Sequence, residues 1–276
     1  MMKADLHSHS TVSDGKFAPA DVARRAQAGG VTLWALTDHD EVSGQQAARE
    51  AAEALGMRYL CGVEISVTWA ERTVHVVGLN VDPENAALKQ GLHSTRNGRA
   101  PRAVEMSERL AALGIPGAYE GALSYVSNPD LISRTHFARW LVEAGHAANV
   151  AEVFERWLGD GRAASVPHRW SKLADAVGWI REAGGAAVIA HPGRYKYTQL
   201  EFDALFGEFI DLGGKAIEVV TGSHTPDQYR EYAQVARRFG FEASCGSDFH
   251  GPDEGAALGS LPPLPSDLKP VWERWL

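Results

Sequence analysis

The sequence predicts an α/β fold in which about seven strands close into a barrel, interrupted by a small all-helical insertion. Two observations lead to this fold. Apolar strand runs alternate with amphipathic helical stretches, and side chains that can bind metal ions follow almost every strand. With 276 residues, 45% of them hydrophobic, the chain is long enough to bury a sizeable core. An open doubly wound sheet has the same alternation, so the positions of the histidines must decide between the two folds.

The strand runs fall into two blocks on either side of the insertion. The first block contains KADLHSHS, VTLWALTDHD, MRYLCGVEIS and VHVVGLNV, and the second contains GGAAVIAHPG, AIEVVT and FEASCGSDFH. Helical stretches such as PADVARRAQAGG and PDQYREYAQVARRFG lie between them and end at glycine, as a left-handed C-cap favours. The stretch between the blocks is helical throughout. We therefore expect residues 1–96 and 168–276 to form the barrel and residues 97–167 to form the insertion.

Metal-binding side chains are predicted at or near the C-terminal ends of the strands: His7, His9, His39, Glu64, His75, His191, Asp248 and His250. The C-terminal ends of the strands in a parallel barrel converge on one face, where loops build a site. Groups from nearly every strand of an open seven-stranded sheet would not meet so closely. The histidines therefore favour the barrel.

Two pairs in this set have strand spacing, so their side chains point the same way. The pairs are His7 with His9, and Asp248 with His250. Together with Asp14, the set provides nine candidate ligands, and burying such a cluster without cations would be costly. Imidazole and carboxylate without thiolate indicate Mn, Fe or Zn, with manganese our first choice. Nine ligands suit two or three ions that share a bridging carboxylate.

Composition limits the partners and the location of the protein. The net charge of -8 argues against binding of duplex nucleic acid, and an anionic substrate would need a local positive site. Cys61 and Cys245 lie in predicted strands, and we expect buried, reduced thiols. We recognise no signal segment and no apolar run of membrane-spanning length, so a cytoplasmic protein without a membrane partner is expected. The sequence does not indicate an oligomeric state.

The motifs DLHSHSTVSDG, TDHD, GVEIS, VHVVG, AHPGR and GSDFH resemble, in order, those of the PHP (polymerase and histidinol phosphatase) family within the amidohydrolase-like superfamily. The resemblance implies a distorted seven-stranded β/α barrel and a trinuclear metal site in a phosphoesterase. His7, His9, Glu64 and Asp248 would hold one ion; Glu64 would bridge to a second, held by His75 and His191; Asp14, His39 and His250 would hold the third. All nine positions are filled, which favours an active enzyme.

The insertion resembles the branch of this family that contains nucleoside 3′,5′-bisphosphate phosphatases and enzymes that trim RNA 5′ ends. This implies a nucleotide substrate such as pAp, which would lose its 3′ phosphate and leave the nucleoside 5′-monophosphate. Ser133 is a good N-cap, so Arg134 and His136 would lie in a first helical turn suited to phosphate. Arg194, after the ligand His191, is the second candidate for stabilising charge on phosphorus.

Other polar residues are assigned more weakly. His136 is a candidate for protonating the leaving group or binding phosphate, although a capping or core role is nearly as well supported. Arg99 is a candidate for a second phosphate, and Asp40 for orienting ligands or touching substrate. Arg96 and Arg102 are expected on a solvated face. The predicted catalytic residues are therefore Glu64, Arg134, His136 and Arg194, and the predicted substrate-binding residues are Asp40, Arg99, Arg134, His136 and Arg194.

Three other functions remain open from the sequence. A 5′-3′ exonuclease on short RNA would use the same metals on a phosphodiester, although the acidic balance argues mildly against a groove for several nucleotides. A histidinol phosphate phosphatase fits the insertion less well. A non-catalytic metal-binding module is the alternative from a different class of protein.

Overall fold

A computed structural model describes residues 2–275 and contains one main sheet surrounded by helices. Its strands are β1 (Ala4–Asp5), β2 (Leu33–Leu36), β3 (Arg58–Trp69), β4 (Arg72–Leu79), β5 (Ser171–Lys172), β6 (Ala186–Ile189), β7 (Ala216–Thr221) and β8 (Glu242–Gly246). The seven predicted strands are present. The short β5, which pairs with β3, was not predicted from the sequence.

The sheet closes into a barrel in the order β1-β2-β3-β4-β6-β7-β8. The first and last strands meet through backbone hydrogen bonds: the Leu6 N–H donates to the Cys245 carbonyl at 3.0 Å, and the Asp248 N–H donates to the His7 carbonyl at 2.8 Å. A further parallel bridge joins Ser8 to Phe249. These contacts join the two edge strands of the sheet, β1 and β8, and confirm the predicted barrel.

One strand runs against the others. β4 pairs antiparallel with both β3 and β6. It follows β3 through the two-residue turn Ala70 and Glu71, which have φ values of 45° and 59°, as a tight hairpin that matches the twist of the strands requires. His75 consequently lies near the start of β4 and not at its C-terminal end, contrary to the prediction. The reversed direction still brings His75 to the same rim, opposite Ser66 of β3.

Helices cover the outside of the barrel and build the insertion. They are α1 (Pro19–Ala28), α2 (Gln45–Ala54), α3 (Ala86–Arg96), α4 (Arg99–Ala112), α5 (Ala118–Leu123), α6 (Arg134–Glu143), α7 (Val150–Val153), α8 (Leu173–Glu182), α9 (Gln199–Asp211) and α10 (Pro226–Phe239). Neither α3 nor α8 was predicted from the sequence, and these two helices pack together. α10 has a clear stop: Gly240 follows it with φ 71°, a conformation that favours glycine.

Three apolar clusters organise residues 2–275. The smallest lies between α1, α2 and β2 and contains Val22 and Trp34. The largest lies in and around the barrel, from Leu6 to Trp272. A second cluster lies within the insertion between Ala103 and Val166, and contains buried Phe137 and Leu158. We refer to residues 97–167 as the cap; among these described residues there is no strand. The cap thus has a hydrophobic centre of its own above one end of the barrel.

Both cysteines, Cys61 and Cys245, are free and buried, as predicted. Among residues 2–275, no helix is long and apolar enough to cross a membrane.

Candidate active site

The rim of the barrel next to the cap carries a dense cluster of imidazoles and carboxylates. In three overlapping groups, the candidate ligand atoms lie within 4.8 Å of one another. The groups comprise His9, Asp14, His39 and His250; His7, His9, Glu64 and Asp248; and His39, Glu64 and His75. The remaining candidate, His191, has its Nε2 3.0 Å from Oε1 of Glu64. The fold therefore brings the nine predicted ligands together, with His9 contributing to two of the groups.

Glu64 lies at the centre of this cluster. Its Oε1 is 2.8 Å from Nδ1 of His75, and its Oε2 is 2.9 Å from Nδ1 of His39 and 3.3 Å from Nε2 of His7. Burial alone would raise the pKa of the Glu64 carboxyl, but the imidazoles of His39, His75 and His7 outweigh it and hold that pKa well below its usual range. Each oxygen of this carboxylate thus faces imidazole nitrogens, the arrangement a bridging ligand needs.

The cluster has a donor set that protein groups alone do not satisfy. Within residues 2–275, buried atoms without a hydrogen-bond partner include His9 Nδ1, Asp14 Oδ1, His39 Nδ1, Glu64 Oε2 and His191 Nδ1. His39 Nδ1 and Glu64 Oε2 lie 2.9 Å apart, but not in hydrogen-bond geometry. Leaving so many buried polar atoms unpaired is costly, whereas divalent cations would satisfy such a set. Burial lowers the pKa of His75 to about 4, which keeps its ring neutral, the form that can bind a metal. Residue types and geometry together fit a site for divalent cations.

A further carboxylate, on β7, supports the cluster from behind. Glu218 is buried, and its Oε1 accepts a hydrogen bond from Nδ1 of His7 at 2.8 Å. Its Oε2 accepts the backbone N–H of His191 at 2.7 Å. The hydrogen bond between His7 and Glu218 assigns the proton of His7 to Nδ1 and leaves Nε2 directed at the rim. Glu218 was not predicted from the sequence, although an acid inside the apolar run AIEVVT was a usable signal.

Asp38 orders the loop that carries Asp14. Its Oδ1 accepts the N–H of Ser10 at 2.8 Å and the hydroxyl of Ser13 at 2.6 Å. Its Oδ2 accepts the Ser10 hydroxyl at 2.7 Å. Asp14 directly follows Ser13, so Asp38 fixes the backbone from which Asp14 reaches the cluster.

A cavity of about 630 Å³ separates the rim from the cap. Seven of the nine predicted ligands lie on its wall: Asp14, His39, Glu64, His75, His191, Asp248 and His250. The opposite wall belongs to the cap and contains the guanidinium groups of Arg99, Arg102 and Arg134. Arg194 adds a fourth guanidinium from the barrel and lies 3.2 Å from Oδ2 of Asp248. The volume of this cavity is in the range of small-molecule binding sites.

Arg102 lies on the cavity wall and not on the solvated face predicted for it. Its Nε donates to the Val166 carbonyl at 2.9 Å, and its guanidinium lies 5.4 Å from the Trp170 ring. Burial and the nearby charges of Arg134 and Arg99 lower the pKa of Arg102 to about 9. Three neighbouring cations in a partly buried wall therefore favour an anion in the cavity.

Arg96 also departs from the prediction of a solvated face. Its guanidinium is half-buried, pairs with Glu41 at 3.1 Å and donates to the Asp40 carbonyl at 2.6 Å. These contacts tie α3 to the loop after β2. Arg96 is therefore a structural residue.

Asp40 lies behind the cavity wall. Its carboxylate is fully buried, pairs with Arg99 and accepts the Ser66 N–H at 2.8 Å. The predicted contact of Asp40 with substrate does not agree with this position, because Ser66 and Arg99 stand between it and the cavity. Asp40 instead positions Arg99, whose guanidinium also lies 4.8 Å from the Trp170 ring.

His136 also lies outside the cavity wall, contrary to its predicted catalytic and phosphate-binding roles. It is 1% exposed, and its Nδ1 accepts the N–H of Ser133 at 3.0 Å at the start of α6. Burial lowers the pKa of His136 to about 4, so the ring stays neutral. Arg134, two residues earlier, does line the cavity, and its guanidinium also pairs with the exposed Asp160 at 2.8 Å. His136 is thus a capping residue of α6.

Besides the pair of Arg99 with Asp40, two further contacts join the cap to the rim. The Ser133 hydroxyl donates to Oδ2 of Asp14 at 3.2 Å. Arg139 of α6 makes a two-pronged contact with Glu254 at 3.0 and 2.6 Å, and Lys16 meets the same carboxylate at 2.9 Å. Arg139 and Glu254 are both less than a tenth exposed. Helix α6 is therefore fixed against the loop that follows the last strand.

A barrel rim that gathers imidazoles and carboxylates beneath an arginine-bearing wall defines a metal-dependent phosphoesterase. The chain belongs to the PHP domain family, whose model matches residues 5–158. This agrees with the resemblance drawn from the sequence motifs, and the relatives described next confirm the predicted enzyme class.

Relatives with known activities cover nearly the whole chain. A 3′,5′-nucleoside bisphosphate phosphatase of Chromobacterium violaceum is 47% identical over 99% of this chain and 96% of its own length. A 5′-3′ exoribonuclease of Haemophilus influenzae is 40% identical over 99% of both chains. The 5′-3′ exoribonuclease Rnm of Escherichia coli is 38% identical over 98% of this chain and 93% of its own.

Solved structures agree in fold. An amidohydrolase from Chromobacterium violaceum with bound sulfate superposes with a TM-score of 0.96 at 46% identity, covering 99% of this chain and 95% of that one. A putative metal-dependent phosphoesterase from Bifidobacterium adolescentis gives a TM-score of 0.82 at 27% identity, covering 98% of this chain and 93% of that one. The likeness extends through the cap as well as the barrel.

Proposed function

We propose that this protein is a metal-dependent phosphatase that removes the 3′ phosphate of nucleoside 3′,5′-bisphosphates such as pAp. The observation that carries the proposal is the presence of two separate anion-attracting walls in one cavity. The rim provides the cluster centred on Glu64, and the cap provides Arg99, Arg102 and Arg134. A substrate with phosphates at two positions matches both walls. The relative from Chromobacterium violaceum supports the same substrate class.

The nine predicted ligands would hold two or three divalent ions, with manganese the first choice and iron or zinc the alternatives: His7, His9, Asp14, His39, Glu64, His75, His191, Asp248 and His250. Such ions, when bound, supply Lewis-acid stabilisation of charge on the phosphate and favour ionised water as the nucleophile. Glu64 would bridge two of them. The protein would keep the imidazoles neutral and the carboxylates ionised, and would orient both, as Glu218 does for His7.

The arginines would divide between the two phosphates. Arg194 lies beside Asp248 at the rim, so it would stabilise charge on the phosphate that reacts. Arg99, Arg102 and Arg134 would bind the 5′ phosphate through charge-assisted hydrogen bonds. Asp40 holds Arg99 in place from behind. In this arrangement the 5′ phosphate fixes the nucleotide and directs its 3′ phosphate to the rim.

Hydrolysis would form a bond between a water oxygen and phosphorus and break the bond between phosphorus and the 3′ oxygen. The leaving 3′ oxygen takes up a proton, and the products are inorganic phosphate and a nucleoside 5′-monophosphate.

We also propose that residues 97–167 form a cap domain distinct from the barrel. We propose a cytoplasmic location, which fits a nucleotide substrate.

Cleavage of short RNA from its 5′ end is the second candidate. It is favoured by the two exoribonuclease relatives, which match nearly the whole chain. In that reaction the same rim would act on a phosphodiester, while the arginine wall would bind the 5′ phosphate of the RNA. The two candidate functions differ in whether the phosphate on the 3′ side of the bound nucleotide is a terminal monoester or is joined to a second nucleotide.

Purified protein loaded with Mn²⁺ would be assayed for phosphate release from pAp and for cleavage of a 5′-phosphorylated dinucleotide. We expect release from pAp to exceed dinucleotide cleavage in kcat/KM. Preferred cleavage of the dinucleotide would favour the exonuclease. A His9→Asn variant provides the inactive control, since His9 belongs to two of the ligand groups.

A further inference from the structure

The cap contributes one largely uncharged segment to the cavity wall, formed by Asn149, Val150, Ala151 and Phe154. We propose that this segment, residues 149–154, is the base platform of the enzyme: the nucleobase stacks on the Phe154 ring and accepts a hydrogen bond from the Asn149 amide. The inference rests on the proposed nucleotide substrate. It adds the subsite for the base and a prediction about which bases are accepted.

Two aromatic side chains besides the histidines line the described cavity wall, Phe154 and Trp170, and the ring face of Phe154 is the one available for stacking. Trp170 also lines the cavity, but its ring is already engaged by Arg99 at 4.8 Å, Arg102 at 5.4 Å and the His168 ring at 4.2 Å. Among these described residues, the Phe154 ring has a single cationic neighbour, Arg134, 5.6 Å from its centre. A half-buried ring beside a guanidinium is a suitable stacking surface for a base.

The local backbone holds this ring in place. Phe154 starts a π-helical turn, Phe154–Leu158, in which the N–H of Gly159 donates to the Phe154 carbonyl at 2.8 Å. Single π turns often occur at functional sites. Val153 and Leu158 are fully buried in the cap and anchor both sides of the turn. Arg134 donates to the Leu158 carbonyl at 3.2 Å, so the turn and the arginine wall are connected.

Within residues 2–275, the Asn149 side-chain amide uses its oxygen but not its NH₂ group for hydrogen bonding. Its Oδ1 accepts the N–H of Glu152 at 2.9 Å and so caps α7. Its Nδ2 has no hydrogen-bond partner within residues 2–275, and the exposed side chain lines the cavity. All four bases present ring-nitrogen or carbonyl acceptors, and all four have a π face. This platform therefore binds a base without distinguishing strongly between bases.

The test compares pAp, pUp and 1-deoxyribose 3,5-bisphosphate, which lacks a base. The Phe154→Leu variant keeps an apolar side chain in the cap but removes the π face, and Asn149→Ser keeps an N-cap acceptor but removes the amide donor. We expect Phe154→Leu to lower kcat/KM about tenfold for both nucleotides, the scale of one base–aromatic stack, and to leave the base-free substrate unchanged. Asn149→Ser should have a smaller effect in the same direction.

Trp157→Leu is the matched control, because Trp157 lies on the same turn and packs into the cap cluster away from the cavity wall. It should leave the ratio of the three substrates unchanged. Equal losses on all three substrates with Phe154→Leu, or no loss on any, would overturn the base platform. A wild-type enzyme that hydrolyses none of them would overturn the proposed function instead. Calorimetric binding of pAp would then decide the platform separately: undiminished binding by Phe154→Leu would contradict it.

Discussion

Nδ1 of His7 lies 2.8 Å from Oε1 of Glu218, a buried carboxylate on β7, a strand that contributes none of the nine predicted ligands. The second oxygen of Glu218 accepts the backbone N–H of His191 at 2.7 Å. One acid therefore orients an imidazole from the first strand and the backbone of a ligand that follows β6. Glu218 would therefore position two of the proposed metal ligands without binding a metal ion itself.

The Glu218→Gln variant should bind Mn²⁺ about 10–100-fold more weakly, because the amide cannot supply the charge that orients and polarises His7. Calorimetric titration of the metal-free protein measures this affinity. Glu231→Gln, an exposed acid on α10, is the matched control and should leave the affinity unchanged. Equal affinities of Glu218→Gln and the wild type would mean that His7 does not depend on Glu218.

The His9→Asn variant should lose metal and turnover together while it keeps its fold. His9 belongs to two ligand groups, and its ring stacks on His250 with centroids 4.1 Å apart. Metal content per chain by elemental analysis, circular dichroism and phosphate release from pAp are the three measurements. Full activity in His9→Asn with unchanged metal content would contradict the proposed ligand set.

The Arg102→Gln variant should discriminate between substrates with and without a 5′ phosphate. Its guanidinium faces the cavity and forms one hydrogen bond, to the Val166 carbonyl, within the described residues. Hydrogen bonds to charged groups contribute about 1.5–3 kcal/mol, so kcat/KM for pAp should fall by about 10–100-fold. Activity towards 3′-AMP should not change.

The exposed Arg162 of the cap provides the control for this measurement, since Arg162→Gln removes a charge without touching the cavity wall. If Arg102→Gln lowered activity towards both substrates equally, the arginine wall would not be the site of the 5′ phosphate.

Arg139 and Glu254 should behave as a coupled pair in unfolding. Both are less than a tenth exposed, and Arg139→Met would leave Glu254 with Lys16 as its remaining partner. Breaking a buried pair from one side costs about 3 kcal/mol, whereas removing both charges costs less than the sum of the single changes. Urea unfolding of Arg139→Met, Glu254→Gln and the double variant measures this coupling. Strict additivity would show that the pair does not fix the cap.

The same pair makes a pH dependence testable. Burial alone would raise the pKa of Glu254, but Arg139 and Lys16 outweigh it and lower that pKa. A carboxyl with a lowered folded pKa contributes stability above its unfolded value of about 4.3, and this contribution is lost as the pH falls through the folded value. The difference in unfolding free energy between wild type and Arg139→Met should therefore shrink below about pH 4.3. A constant difference down to pH 3 would exclude this linkage.

Much of the fold and of the metal cluster could be predicted because the relevant signals are local. Alternation of apolar runs with helices revealed the seven strands, and pairs such as His7 with His9 marked the rim. The direction of β4 could not be predicted in this way, since it depends on the two-residue turn at Ala70 and Glu71. A strand's hydrophobic pattern is the same in either direction.

The roles of single polar residues were harder to predict, because burial and partners distant in sequence decide them. His136 has the residue type and helical position of a phosphate ligand, yet its ring points into the cap and accepts the Ser133 N–H. Arg102 looks like part of a surface charge run, yet it lies on the cavity wall beside Trp170. Glu218 has no motif at all, and only packing across the barrel reveals its contact with His7.

The most direct test of the central claim separates and quantifies the products of pAp by chromatography after reaction with the Mn²⁺-loaded enzyme. Our account predicts equal amounts of inorganic phosphate and 5′-AMP, with no 3′-AMP, and no reaction after chelation of the metal. Release of the 5′ phosphate to give 3′-AMP, or an undiminished rate after the metal is removed, would contradict it.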